Sequence, residues 1–454
     1  MLLRFSVENA LCFGAETSLS MVATSDDRHP SHICSSRKGA PDVLRIATLY
    51  GANGHGKTNL VRSISTMKNI VVQKKWNLPR FKLDKSYSKS PSRLVMEFIH
   101  KETIYEYGVV VDGKVIKEEW LFSTNKTGKE KKIFERITHR KDEVFVTEIS
   151  PGPSMKRMKS PVEGLSMEKY MLVLSAGLKE SRPFLSESKE RSLPLFDDPY
   201  EWFSSILTPV EVTSSYAPLF ERVGADDDFR RFLETFMKRC DVGIEGLRAK
   251  TAKVAPAALA NFPSIIRDEI QGLDNNEALK IEHEDGITMV FEKDEEGELL
   301  IRNIDSLRHD SDGDEVSFSF DEESSGTRRL MDLAPMLADN SAQQVFVVDE
   351  LDRKLHPMLS YKFVQEFLCQ NKGQLILTTH NTHLMDLDLL RRDEIWFVQK
   401  KGDGSSDMYS LADMKVRPDL NVKKGYINGR FGAIPFLGSF PAQCDSEVAS
   451  DDHY

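Results

Sequence analysis

The chain has 454 residues, 40% hydrophobic and 29% charged, with a net charge of −10. That length allows two or three domains and a full core, and the composition is that of an ordinary soluble globular protein. No apolar run approaches the roughly 18 residues of a membrane span, so no membrane partner is expected, and the acidic balance gives no global signal for nucleic acid. Arg4 and the polar residues after it spoil a secretory signal. The cysteines (Cys12, Cys34, Cys240, Cys369 and Cys444) are scattered without a CxxC pair, which fits a reducing, cytoplasmic setting.

The opening "MLLRFSVENALCF" alternates apolar and polar residues and reads as a strand, with a second near Thr17–Val22. "DVLRIATLY" (42–50) is a short β-rich run that ends in a glycine-punctuated turn, and "TNLVRSISTMKNIVV" (58–72) resumes at helical spacing. From about 90 to 150 the chain predicts an antiparallel meander of strands with short polar breaks. A helix is expected near Ser166–Ala176, and residues 198–240 read as helical, with Asp226–Asp228 able to cap "FRRFLETFMKRC". Strands return at "ALKIEHEDGITMVFEKD" and "ELLIRNI". From about 324 the pattern is helix, strand ("QQVFVVDE"), helix, strand ("GQLILTTH"), helix, strand ("EIWFVQK"). That alternation predicts an α/β fold with a parallel sheet flanked by helices.

Gly51-Ala52-Asn53-Gly54-His55-Gly56-Lys57-Thr58, followed by Asn59, satisfies G-x-x-x-x-G-K-[ST] between strand and helix. Glycines let backbone N–H groups converge on phosphate oxygens at the positive end of a helix. Lys57 would reach the β and γ phosphates, and the Thr58 hydroxyl would ligate Mg²⁺. "VFVVDE" (345–350) carries two carboxylates out of an apolar strand. Asp349 is suited to the metal, and Glu350 to orienting and deprotonating the attacking water. "LILTTH" (375–380) ends in His380, a residue able to sense the γ-phosphate. "ESSGTRRL" (323–330) opens a helix whose Ser325 and Gly326 amides make a second anion site, which need not serve its own chain's nucleotide.

This order of elements resembles the ATP-binding-cassette ATPases, a class that includes SMC and DNA-repair proteins. Residues 51–58 look like Walker A, 323–330 like the signature with Ser324 or Ser325 as its serine, 345–350 like Walker B, and "LDRKLHP" (351–357), with Asp352, like the D-loop. His380 looks like the switch histidine, and Gln73 is a weak candidate for the Q-loop. The resemblance implies ATP and Mg²⁺ as cofactors and a homo-oligomer in which two heads sandwich the nucleotide, each signature acting in trans. The fold it implies is an ABC-type head made of 1–75 and 323–440. Between these lie an antiparallel β subdomain (76–150), a mainly helical insertion (151–275) and strands returning to the head (276–322), with a flexible tail at 441–454.

The motifs "LRFSVENALCFGAETSLSM", "LYGANGHGKTNL", "ESSGTRRL", "VDELDRKLHP" and "YINGRFGAIPFLG" (426–438) are similar to stand-alone ATPases of bacterial abortive-infection and OLD-like defence systems. That likeness implies an ATP-dependent scaffold that senses a phage-encoded trigger and restrains a separate Toprim-type nuclease. A chromosome-organising or DNA-repair ATPase is the alternative, although the insertion lacks the heptads for long coiled coils. A built-in OLD-type nuclease is disfavoured because only about 55 residues follow "EIWFVQK". A transporter's ATPase half is disfavoured by the divided head. DNA could meet the basic stretches 126–141 and 153–160, but a solvated surface is the favoured reading of both.

Overall fold

The computed structural model describes residues 1–35, 39–125, 128–211, 218–275, 277–282, 288–338, 343–414 and 421–435. Strand Ile46–Tyr50 is buried at every residue, as a strand must be when both faces of its sheet are covered. It runs parallel to Gln374–Thr378 on one side and to Ile395–Lys400 on the other. Val345–Val348 lies beyond Gln374–Thr378, again parallel, and Leu207–Val210 closes that edge. Pro209 is tolerated there because an edge strand can lose one N–H. Ser406–Ser410 adds an antiparallel strand at the opposite edge.

Parallel strands share the edge at which they end. Gly51, Asp349 and Thr379 each follow the last residue of neighbouring strands, so the loops bearing the candidate residues emerge side by side.

Alternate residues of this sheet feed two cores. Ala47, Leu49, Val345, Val347 and Ile376 join the core that holds helix Lys57–Gln73 and the apolar faces of Leu2–Glu8 and Ser92–His100. Ile46, Tyr50, Phe346, Val348, Leu375 and Leu377 join helices Ser325–Leu333 and Pro357–Gln370. The expected helix "GTRRLMDLAPMLAD" is divided at Pro335 into Ser325–Leu333 and Pro335–Ala338, because proline removes an amide and clashes with the preceding turn.

The predicted meander forms as one antiparallel sheet. Its order is Val144–Pro151, Glu130–Lys141, Val115–Thr124, Thr103–Asp112, Ser92–His100, Leu2–Glu8 and Thr17–Ser20. The two N-terminal strands therefore belong to the meander and not to the parallel sheet.

Two further expectations differ from the structure. The strands over 276–322 do not return to the parallel sheet. Glu277–Glu282, Thr288–Lys293, Leu299–His309 and Glu315–Ser319 instead pair antiparallel with one another and with Gly246–Lys253, around a small core of Leu259, Ile270, Leu273 and Phe291. Their alternating sequences offer one apolar face each, which suits a sheet covered on one side. The segment read as helix between His380 and Ile395 contains only short 3-10 turns, Thr382–Leu384 and Arg392–Glu394. There Asn381 and Asp386 turn the backbone with side-chain acceptors.

In the insertion, Ser166 caps helix Met167–Gly177 and Asp226 caps Asp227–Arg239. Among the described residues no helix is long and apolar enough to cross a membrane. The tail 441–454 and the end of "YINGRFGAIPFLG" lie outside the described residues.

Candidate nucleotide site

The turn after Ile46–Tyr50 needs its glycines for distinct reasons. Gly54 and Gly56 hold φ of 77° and 111°, a region that side chains strain. A Cβ on Gly56 would stand 2.7 Å from both Cys12 Sγ and Ser406 Oγ, and one on Gly51 would stand 2.5 Å from the Val398 carbonyl oxygen. The loop is thus pressed against its neighbours by backbone rather than by side chains. Ser406 Oγ also donates to the His55 carbonyl at 2.7 Å.

Lys57 opens the helix and is buried. Its ammonium donates to the Gly51 carbonyl at 2.7 Å and to the Ala52 carbonyl at 3.3 Å. Burial lowers its proton affinity, and the carboxylates of Asp349, Glu350 and Asp352 oppose that shift. Thr58 and Asn53 are exposed, Ala52 is buried, and His55 and Asn59 are half-buried. A cleft of about 290 Å³ adjoins Gly54 and Asn59, with Leu11, Cys12, Arg80 and Lys400 in its walls.

Asp349 follows the all-apolar strand Val345–Val348 and is only 1% exposed. Its Oδ1 accepts from the Thr378 hydroxyl at 2.6 Å, while its Oδ2 is buried with no hydrogen-bond partner. A buried carboxylate oxygen without a donor is costly unless a cation satisfies it. The unpartnered Asp349 Oδ2 therefore fits a hard cation such as Mg²⁺.

Glu350 leaves the sheet with φ of 46°, and its N–H donates to the same Thr378 hydroxyl at 2.8 Å. The His380 N–H is shared between both oxygens of Asp352 at 3.3 Å. Burial, and secondarily Lys57, push the His380 imidazole below its ordinary value.

The Ser-Gly turn also meets this edge. Ser324 caps helix Ser325–Leu333, its hydroxyl accepting the Thr327 N–H at 3.1 Å, and Ser324 and Ser325 are both exposed. A Cβ on Gly326 would lie 2.7 Å from the Lys354 carbonyl oxygen, so the helix start packs on the 351–357 loop. Arg329 is buried and donates to the Asp349 carbonyl at 3.4 Å. Glu323, just before the turn, is held by Arg308 at 2.6 and 2.9 Å.

Three participants have their place from the tertiary structure alone: Thr378, Arg329 and Ser406. Thr378 had a usable signal, a hydroxyl closing an apolar strand just before His380. Gln73 ends helix Lys57–Gln73, about 24 Å along the axis from Lys57, and is too distant to contact a phosphate bound at the loop.

A sequence profile described as "AAA domain, putative AbiEii toxin, Type IV TA system" matches residues 46–150 and 210–386. No curated protein sequence matches the chain. Among solved structures, an SMC head bound to the C-winged helix domain of ScpA is 12% identical, with 90% of this chain and 97% of that chain covered and a TM-score of 0.40. The SMC head domain from Thermotoga maritima is 13% identical, with 91% and 99% covered and a TM-score of 0.35. The Smc head with an extended coiled coil from Pyrococcus furiosus is 11% identical, with 90% and 96% covered and a TM-score of 0.33. The profile takes in the glycine loop, the Ser-Gly turn, both carboxylates and His380, and it spans more than half of the chain. The protein belongs to this AAA-domain family.

Proposed function

We propose that the protein binds and hydrolyses ATP, and that ATP occupancy drives its self-association and so controls a separate effector in anti-phage defence. The observation that carries the nucleotide reading is the group at the ends of neighbouring parallel strands. A glycine loop with a buried lysine lies beside a buried aspartate that keeps one oxygen unpartnered, followed by a glutamate whose backbone leaves the strand at positive φ.

In this reading the loop amides and Lys57 bind the β and γ phosphates. Mg²⁺, held by Thr58 and Asp349, would neutralise the phosphate charge. Glu350 orients a water and accepts its proton, and His380, fixed through Asp352, reports on the γ-phosphate. The exposed Ser324 and Ser325 with Gly326 would meet the nucleotide of a second copy, so turnover requires head-to-head closure.

The defence role rests on the family match and on the sequence likeness to abortive-infection ATPases, among which the ATPase subunit of the PARIS system is one candidate kind. A phage-encoded trigger and a Toprim-type nuclease are the partners that likeness suggests. The test is Glu350→Gln, which should retain radiolabelled ATP and shift the light-scattering mass upward. Hydrolysis at the wild-type rate would remove Glu350 from its role. An unchanged mass in ATP would remove the sandwich.

A further inference from the structure

We infer that Arg329 is a positioning residue, which grips the peptide that sets the direction of Glu350 and so ties Glu350 to the Ser-Gly turn. Asp349 and Glu350 share one peptide unit. Its N–H, on Glu350, donates to the Thr378 hydroxyl at 2.8 Å, and its carbonyl, on Asp349, accepts from Arg329 Nη2 at 3.4 Å. Thr378 belongs to a strand of the parallel sheet, whereas Arg329 belongs to helix Ser325–Leu333. One planar unit is thus held by a strand on one side and by a helix on the other. Glu350 follows it at φ of 46°. Any rotation of that plane changes this angle, and with it where the Glu350 side chain points.

The grip is incomplete in the single chain. At 3.4 Å the bond is longer than the usual N–H···O distance, and an approach of about 0.4 Å would complete it. Arg329 is only 8% exposed, and its Nε is buried without a hydrogen-bond partner. Burial lowers the pKa of the guanidinium, while Asp332, Asp349 and Glu350 act to raise it. A buried cation held this loosely costs the fold more than an apolar side chain of similar size would. Stability alone therefore does not account for an arginine here.

The helix supplies the lever. Ser325 and Arg329 are four residues apart, about 6 Å along the axis and on the same face. Ser324 and Ser325 are exposed, while Leu330, Met331 and Leu333 seat the helix in the core. This role rests on the proposed reading in which the turn meets the nucleotide of a second copy. A displacement of the turn is then delivered one turn along the helix to the Asp349 carbonyl. Closure completes the Arg329 bond and directs Glu350 toward its water, so each copy hydrolyses only when the other's nucleotide engages its turn. Thr378 cannot carry that signal, because its strand is hydrogen-bonded to the carboxylate strand and moves with it.

The test compares the full-length wild type with Arg329→Met. Phosphate release is followed over a range of protein concentrations, beside urea unfolding, fluorescent-ATP binding and light scattering in a non-hydrolysable ATP analogue. Wild-type specific activity should rise with protein concentration. Arg329→Met should keep its urea midpoint at or above the wild-type value, its nucleotide affinity within about twofold, and its gain in mass with the analogue. Its turnover should nonetheless fall about tenfold or more and no longer rise with concentration. Turnover that still climbs as in wild type overturns the role given to Arg329. A lowered urea midpoint with equal loss of binding and turnover overturns it too, making Arg329 a structural residue. Wild-type activity independent of concentration would remove the head-to-head sandwich and this role with it, a result read on the wild type alone.

Discussion

The Thr378 hydroxyl donates to Asp349 Oδ1 at 2.6 Å. The Thr378 hydroxyl oxygen in turn accepts the Glu350 N–H at 2.8 Å, so one side chain on a neighbouring strand fixes both carboxylate residues. Val is close to Thr in shape but has no hydroxyl, and Thr378→Val would leave a buried acceptor and a backbone donor unpaired. The expected cost is about 1–3 kcal/mol, read by urea denaturation. ATPase activity should fall more than nucleotide binding does. A variant as stable and active as wild type would show that Thr378 is a bystander.

Glu350 separates stability from activity. Its φ of 46° costs a residue with a side chain roughly 1–2 kcal/mol, whereas glycine adopts it freely but is looser when unfolded. Glu350→Gly should therefore be neutral to about 1 kcal/mol more stable while losing hydrolysis. Calorimetry together with a phosphate-release assay checks this. A marked loss of stability would mean that the glutamate side chain supports the fold.

Gly326 is where the Ser-Gly turn and the 351–357 loop touch. An alanine Cβ would lie 2.7 Å from the Lys354 carbonyl oxygen, a backbone atom that must move, at about 1–3 kcal/mol. Gly326→Ala should reduce ATP-dependent association in light scattering, yet leave fluorescent-nucleotide binding to the single chain within about twofold. Equal loss of both would place Gly326 in the chain's own nucleotide site.

Acid should weaken the fold through its histidines. Burial pushes His100, His55 and His380 below their ordinary value of 6.5, and His100 is only 2% exposed. Once unfolded, these groups take up protons near pH 6.5, while the folded chain resists. The unfolded state then binds more protons, so stability is full above pH 6.5 and declines as the pH drops below it. Denaturation at about pH 7.5 and about pH 5.5 should show the decline, and His100→Gln should make it shallower. An identical pH dependence in that variant would remove His100 as a contributor.

The glycine turn between strand and helix is legible in the sequence because its requirements are local. Glycines supply the backbone angles, a β-rich run precedes them and a helical period follows. The same holds for Asp349 and Glu350, whose apolar strand announces itself, and for Ser166 and Asp226 as helix caps. What the sequence by itself could not state was which strands are neighbours. Ile46 pairs with Leu375 and Phe346 with the same residue, across separations of some three hundred residues in one case and about thirty in the other. Alternation in "LRFSVE" says that one face is buried, but not that the strand joins the meander by pairing with Ser92–His100. Only the tertiary structure set Gln374–Thr378 between the glycine-loop strand and the carboxylate strand, and so gave Thr378 its place beside Asp349. Patterning specifies which faces must be buried; strand order is decided by the packing that buries them all at once.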